Sequence, residues 1–160
     1  MNNIVLYQPE IPGNTGNIMR TCVATNTKLH LIKPLGFSLD ESHLKRSAVN
    51  YIENLNYEVY ENFEDFKSKN KGIYYYFTRY GKKPHTSFDY SNTKEDIYLI
   101  FGKESTGIPK EILREDLDRC MRIPMTDKVR ALNLSNCAAI VIYEVLRQQN
   151  YEGLLFKEPH

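Results

Sequence analysis

Short apolar runs alternate with stretches whose apolar residues recur at helical spacing, and that rhythm predicts strands and helices in turn. Residues 4–7 (Ile, Val, Leu, Tyr) are closed by Pro9 and Pro12 and read as a buried strand. A helix is expected from about Asn14, capped by Asn14 or Thr15, with Ile18, Cys22 and Thr25 along one side. A second apolar run at 29–32 stops at Pro34-Leu35-Gly36, after which Asp40 can cap a helix reaching about Val49. A strand near 57–60, a short helix over 63–69 and an aromatic, β-prone segment at 73–78 follow. Residues 97–101 and 121–123 predict further strands, and Pro109 suits the first turn of a helix. A last helix over 133–149 carries Leu134, Ala138, Val141 and Val145 on one face. The alternation predicts an α/β fold, a mainly parallel sheet flanked by helices.

Composition narrows this picture. A chain of 160 residues, 41% hydrophobic, holds one sizeable core, so a single domain over 1–160 is expected. Asn2, Asn3, Gln8, Pro9 and Glu10 interrupt the opening, and the longest apolar run, 137–143, is too short to cross a bilayer. A cytoplasmic protein away from the membrane is therefore expected. Cys22, Cys120 and Cys137 lack Cys-x-x-Cys spacing, and His30, His43, His85 and His160 show no ligand spacing, so neither disulfide nor metal is expected. Twenty-one Lys plus Arg against 20 Asp plus Glu leave a formal charge of +1, which argues against coating nucleic acid by bulk electrostatics. An RNA site would have to be a local patch: Lys45-Arg46, Arg79 with Lys82-Lys83, or Lys128 with Arg130. The same charges also fit an ordinary solvated surface.

Three loops carry the candidate chemistry, because ligands of open α/β sheets bind beyond the carboxyl ends of strands. The first, 9–20, is a stiff turn with two glycines feeding a helix that carries Asn17 and Arg20; amides at that helix start could hold a phosphate that Arg20 also reaches. The second, 101–109, has Gly102 and Gly107 on either side of Glu104, a carboxylate able to orient a cationic or hydroxylated ligand. A valine at 102 is expected to fill the pocket there. The third runs from Ile123-Pro124-Met125 to the crowded polar helix start Leu132-Asn133-Leu134-Ser135-Asn136, where Ser135 and Asn136 could equally be caps. Neither Gly-x-Gly-x-x-Gly nor Gly-x-x-x-x-Gly-Lys-Ser/Thr occurs, which disfavours nicotinamide and P-loop enzymes. The loop 79–92 is the longest candidate loop.

Taken together and in this order, the three segments resemble the motifs of the SPOUT RNA methyltransferases. The likeness is strongest to the small stand-alone branch that 2'-O-methylates nucleotide 34 of tRNA. Residues 3–20 look like motif 1, 101–109 like motif 2, and 123–125 with 132–144 like motif 3, while 30–37 resembles the family's second strand. The resemblance implies a C-terminal trefoil knot, which topology rules alone would have excluded. It also implies S-adenosylmethionine as cofactor, with S-adenosylhomocysteine as product, and a homodimer whose active sites draw on both subunits. Carried over by position, the cofactor pocket falls on Phe77, Thr78, Gly102, Glu104, Ile123, Met125, Ala131 and Leu132. The catalytic positions fall on Asn14, Arg20, Ser135 and Tyr143, and RNA contacts on Lys45, Arg46, Arg79, Lys82, Lys83, Arg130 and Asn136. Ala131 stands where many relatives have Ser, so a hydroxyl contact to the cofactor is lost there while a backbone contact survives.

The implied substrate is the anticodon stem-loop of tRNA, with cytidine or a modified uridine at position 34. Another tRNA or rRNA position, or a non-catalytic RNA-binding module on the same fold, remains open at this point. A guanidinium is a poor general base, so Arg20 suits a phosphate clamp and a stabiliser of developing alkoxide charge better.

Overall fold

The computed structural model describes residues 1–40, 52–92 and 94–160. The helix expected after its Asp40 cap, to Val49, and the pair Lys45-Arg46 lie outside the described residues. Among the described residues, seven strands form one fully parallel sheet. At its centre β1 (Asn2–Tyr7) pairs with β2 (Lys28–Ile32) on one side and β6 (Ile97–Phe101) on the other. β3 (Tyr57–Tyr60) closes one edge against β2. Beyond β6 come β4 (Ile73–Phe77), β7 (Cys120–Arg122) and the two-residue β5 (Lys83–Pro84), where an edge position tolerates a proline without an N–H. The order is β3-β2-β1-β6-β4-β7-β5.

Both faces of the sheet are buried, and side chains sort between them with period two. Ile4, Leu6, Leu29, Leu31, Leu99, Phe101, Tyr75 and Phe77 face one way. They pack on Ile18, Met19 and Cys22 of α1 (Pro12–Ala24) and on Ala138, Val141, Ile142, Val145 and Leu146 of α4 (Leu134–Gln148). Val5, Ile32, Tyr76, Tyr98 and Ile100 face the other way, against Phe63 and Phe66 of α2 (Phe63–Lys69) and Leu113 of the short α3 (Lys110–Leu113). The segment after β4 lies over α4. The Tyr90 amide donates to the Gln148 side chain at 2.7 Å, and the Gln148 and Gln149 amides donate back to the Phe88 and Tyr90 carbonyls at 3.2 and 2.9 Å.

Helix starts differ from the sequence expectation in instructive ways. α1 begins at Pro12, two residues early, and neither Asn14 nor Thr15 caps it; Asn14 is buried inside the first turn, turned toward another loop. On α4 the cap is Asn133, whose side chain accepts from the Ser135 and Asn136 amides, so those two residues are capped rather than capping.

One buried polar group stands out on the second face. His30 is fully buried, stacked on Tyr60 and ringed by Phe66 and Tyr98. Asn3 donates through its amide to the Met1 and Ile97 carbonyls, so its oxygen must accept from His30 Nε2 at 2.8 Å. Nδ1 lies 2.8 Å from the Tyr60 hydroxyl, whose single proton Glu58 Oε2 also stands to accept at 3.0 Å. Burial, with help from Lys28, pushes the His30 pKa down from 6.5 to about 4. Between those values the unfolded chain binds the extra proton, so stability falls as pH drops from about 6.5 to about 4. The slope contributed is at most ~1.4 kcal/mol per pH unit. Urea unfolding between pH 7 and 5, above the carboxylate range, is expected to lose that slope in His30→Gln. An unchanged slope would assign it to another group, such as His85, whose pKa burial also lowers.

Candidate active site

The sheet order places β1, β6, β4 and β7 side by side, so the segments leaving their carboxyl ends converge on one edge. Between them lies a cavity of about 580 Å³. Its apolar floor includes Phe77 and Phe101, stacked at 5.1 Å, with Ile123, Leu132, Leu134 and Cys137; burial pushes the Cys137 thiol up, so it behaves as an apolar wall. Its mouth carries Arg79, Lys103, Arg122 and Arg130 against the single carboxylate of Glu104.

Three loops are joined here by one chain of hydrogen bonds. Glu104, after β6, accepts the Glu10 amide at 2.8 Å, the Ile11 amide at 2.9 Å and the Asn14 side-chain amide at 3.1 Å. In return Glu10 accepts the Ser105 amide and hydroxyl at 2.8 and 3.0 Å, which hold its carboxyl below the usual carboxylate range. The Asn14 oxygen accepts from the Asn133 amide group at 3.0 Å, and the Asn133 oxygen caps α4. Both amide orientations are forced. Backbone N–H groups fix the oxygen of Asn133, its NH2 then fixes the oxygen of Asn14, and the NH2 of Asn14 meets a carboxylate. The Glu10 and Ile11 amides just before α1 are thus taken by Glu104, a carboxylate of the same chain.

The two glycines of this loop serve different ends. Gly107 has φ of +75° and open space around its Cα, so only its backbone conformation calls for glycine. At Gly102 a Cβ would stand 2.2 Å from the Gly107 carbonyl carbon and the Ile108 nitrogen. Valine at 102 would therefore push the loop apart instead of simply filling the pocket, which corrects the expectation from sequence.

A model of the SpoU rRNA Methylase family matches residues 1–143. The chain belongs to that family. A Bacillus subtilis relative, provisionally named a tRNA (cytidine(34)-2'-O)-methyltransferase, is 54% identical over 153 residues, 95% of this chain and 96% of its own length. The tRNA (cytidine(34)-2'-O)-methyltransferase of Methylovorus glucosotrophus is 43% identical over 155 residues, 96% of this chain and 99% of its own. A solved structure described as giving insights into the 2-OH methylation of C/U34 on tRNA superposes with a TM-score of 0.87 at 36% identity, over 95% of this chain and 98% of that one.

Within this SpoU methylase fold, Phe77, Thr78, Gly102, Glu104, Ile123, Met125, Ala131 and Leu132 all line the cavity, as do Asn14, Arg79 and Arg130. Ser135 touches it indirectly, its hydroxyl bonded to the Asn133 oxygen. Arg20 and Tyr143 lie elsewhere. Arg20 is exposed on α1, one turn from Ala24, and Ala24 lines a second depression with Tyr143, which is 47% exposed. Asn136 is exposed near the start of α4, and Lys82 is exposed on the 79–92 loop, while Lys83 donates to the Asp118 carbonyl at 3.2 Å and covers Phe88. The sequence reading did not single out Ile11, Tyr80, Lys103, Arg122 or Cys137 as cavity residues, or Asn133 as the link between loops. For Ile11, Tyr80 and Lys103 the available signal was a place just after β1, β4 and β6.

Glu104→Gln keeps the size of the side chain but turns an NH2 toward backbone donors. With ~2 kcal/mol lost from charge-assisted bonds, the melting temperature should fall by roughly 4–8 °C. Calorimetry checks it; an unchanged melting temperature would remove Glu104 as the clasp.

Proposed function

We infer that the chain methylates the ribose 2'-hydroxyl of nucleotide 34, cytidine or a modified uridine, in tRNA, using S-adenosylmethionine and releasing S-adenosylhomocysteine. The observation that carries this reading is the cavity itself: an apolar floor suited to an adenosine, a basic mouth suited to RNA, and three motif loops clasped around both. Family membership, the names of the relatives and the neighbour described for C/U34 point the same way. A more distant SpoU methyltransferase, from Streptomyces viridochromogenes, is described in complex with AdoMet; at 22% identity it shares the fold. The cytoplasm is the compartment that fits such a substrate, and the knot implied by the family resemblance belongs to the same reading.

Phe77, Gly102, Ile123, Met125 and Leu132 would hold the cofactor, whose sulfonium supplies the methyl group. The chain's own work is to orient the ribose, exclude water and stabilise charge on the 2'-oxygen as its proton leaves. Arg20 is assigned to the last task, and to clamping a neighbouring phosphate, because a guanidinium gives up its proton too poorly to act as base.

Arg20 and Tyr143 lie outside the cavity of their own chain, on a face that also exposes Ile140, Leu155 and Phe156. A homodimer that brings this face to the partner's cavity accounts for both facts. Arg20→Ala is expected to leave S-adenosylhomocysteine binding and melting temperature unchanged while lowering single-turnover methyl transfer, at saturating tRNA, by roughly 100-fold or more. Nucleoside mapping of the product should place the methyl group on nucleotide 34. Mixing Arg20→Ala with Asn14→Ala subunits should restore rate, since each mixed dimer rebuilds one intact site. A near-wild-type rate for Arg20→Ala would return Arg20 to simple RNA holding, and failure to complement would place each site within one chain.

A further inference from the structure

The turn after β4 is anchored far more firmly than a surface turn needs. The Thr78 amide donates to the Met121 carbonyl at 2.9 Å, the Gly81 amide to the Thr78 carbonyl at 3.1 Å, and the Tyr80 amide to the Thr78 hydroxyl at 3.2 Å. Arg122 donates from across β7 to the Arg79 carbonyl at 3.1 Å. Gly81 lies so close to the Met121 backbone that a Cβ would come within 2.3 Å of it. This rigid turn nevertheless holds its aromatic residue outward: Tyr80 is 46% exposed at the cavity rim and joins neither apolar core cluster. Two cations lie against the ring, the Arg79 guanidinium at 4.8 Å and the Lys110 ammonium, from the start of α3, at 4.9 Å from the centroid. Arg79 also donates to the Tyr80 hydroxyl at 2.6 Å.

A fixed, half-open aromatic ring carrying two cations is poorly explained by packing and well suited to an unpaired nucleobase with its phosphate. Bases of single-stranded loops are bound by stacking on aromatic faces, and the adjoining phosphates by cations. The adenosine of a cofactor is the less fitting occupant, because the uncharged floor of Phe77, Phe101 and Leu132 already offers it an apolar seat. We propose that Tyr80, flanked by Arg79 and Lys110, is a stacking platform for an unpaired base of the substrate RNA beside the nucleotide being methylated. It rests on the function proposed above and extends it to a residue that binds substrate without touching the reacting atoms. The platform fixes how the loop enters the cavity, and it acts on RNA affinity rather than on the chemical step.

The test compares wild type with Tyr80→Ala, Tyr80→Leu and Tyr80→Phe. For each, calorimetry gives affinity for S-adenosylhomocysteine, fluorescence anisotropy gives affinity for an anticodon stem-loop RNA, and kinetics give kcat and KM for tRNA. Tyr80→Ala and Tyr80→Leu should weaken RNA binding and raise KM by roughly 5- to 100-fold, the range for losing one stacked base. Their cofactor affinity, kcat and melting temperature should stay within about twofold or a degree of wild type, as for an exposed ring outside the core. Tyr80→Phe keeps the ring face and should behave as wild type. Unchanged RNA affinity in Tyr80→Ala would overturn the platform. So would a matching loss of S-adenosylhomocysteine affinity, which would seat adenine there. Equal damage in Tyr80→Phe would assign the effect to the hydroxyl bond with Arg79. A wild-type protein that binds both ligands but transfers no methyl group would refute the proposed function alone, since the RNA affinities still decide the platform.

Discussion

One carboxylate sets the geometry on which the site depends. Glu104 stands at the carboxyl edge of a parallel sheet and accepts from two backbone amides and the Asn14 side chain of the neighbouring loop. Through Asn14 it reaches Asn133, and through Asn133 the first turn of α4. Residues 90 and 119 positions apart are thereby held by bonds whose directions leave no freedom, since each amide has one orientation that satisfies both neighbours. An anion at the entrance to a helix is ordinary physics; here the protein supplies it from its own chain. The reciprocal bonds from Ser105 to Glu10 make the clasp two-sided, and Gly102 allows the returning backbone to close beneath it.

The rest of the molecule divides the labour. On one face of the sheet, aliphatic side chains bind α1 and α4, the two helices whose first turns carry Asn14 and Ser135. On the other, an aromatic cluster around Phe66 encloses His30 and its partners and reaches no part of the cavity. Stability can thus be drawn from one side while the opposite edge keeps polar groups and cations in a shape that serves ligand and RNA. Among the described residues no helix is long and apolar enough to cross a membrane.

Much of this was legible in the sequence, because strand and helix periods are local. The strands at 57–60 and 97–101 and the helix at 63–69 stand where their patterns predicted. Elsewhere the bounds shift by one or two residues; β1 starts two residues early, where Asn3 is tied to β2 through His30. What stayed hidden depends on contacts between remote segments. Asn14 looks like a cap until Glu104 is seen to occupy it, and Gly102 looks like a pocket wall until its neighbour proves to be backbone. Arg20 and Tyr143 match the family's catalytic positions only by resemblance in sequence, and a single chain does not bring them to its own cavity. Tyr80 gave no signal beyond its place after β4, since an aromatic residue in a polar loop is indistinguishable from core until its exposure is known.

The claim that one polar relay holds the cavity in shape is tested most directly by a double-mutant cycle on Asn14 and Asn133, read out as calorimetric affinity for S-adenosylhomocysteine. If the two side chains act as one link, Asn14→Ala and Asn133→Ala should each weaken binding. The double variant should then be little worse than the weaker single one, leaving a coupling of about 1 kcal/mol or more. Strictly additive losses, or affinities that do not move, would show that the loops keep their places without the relay.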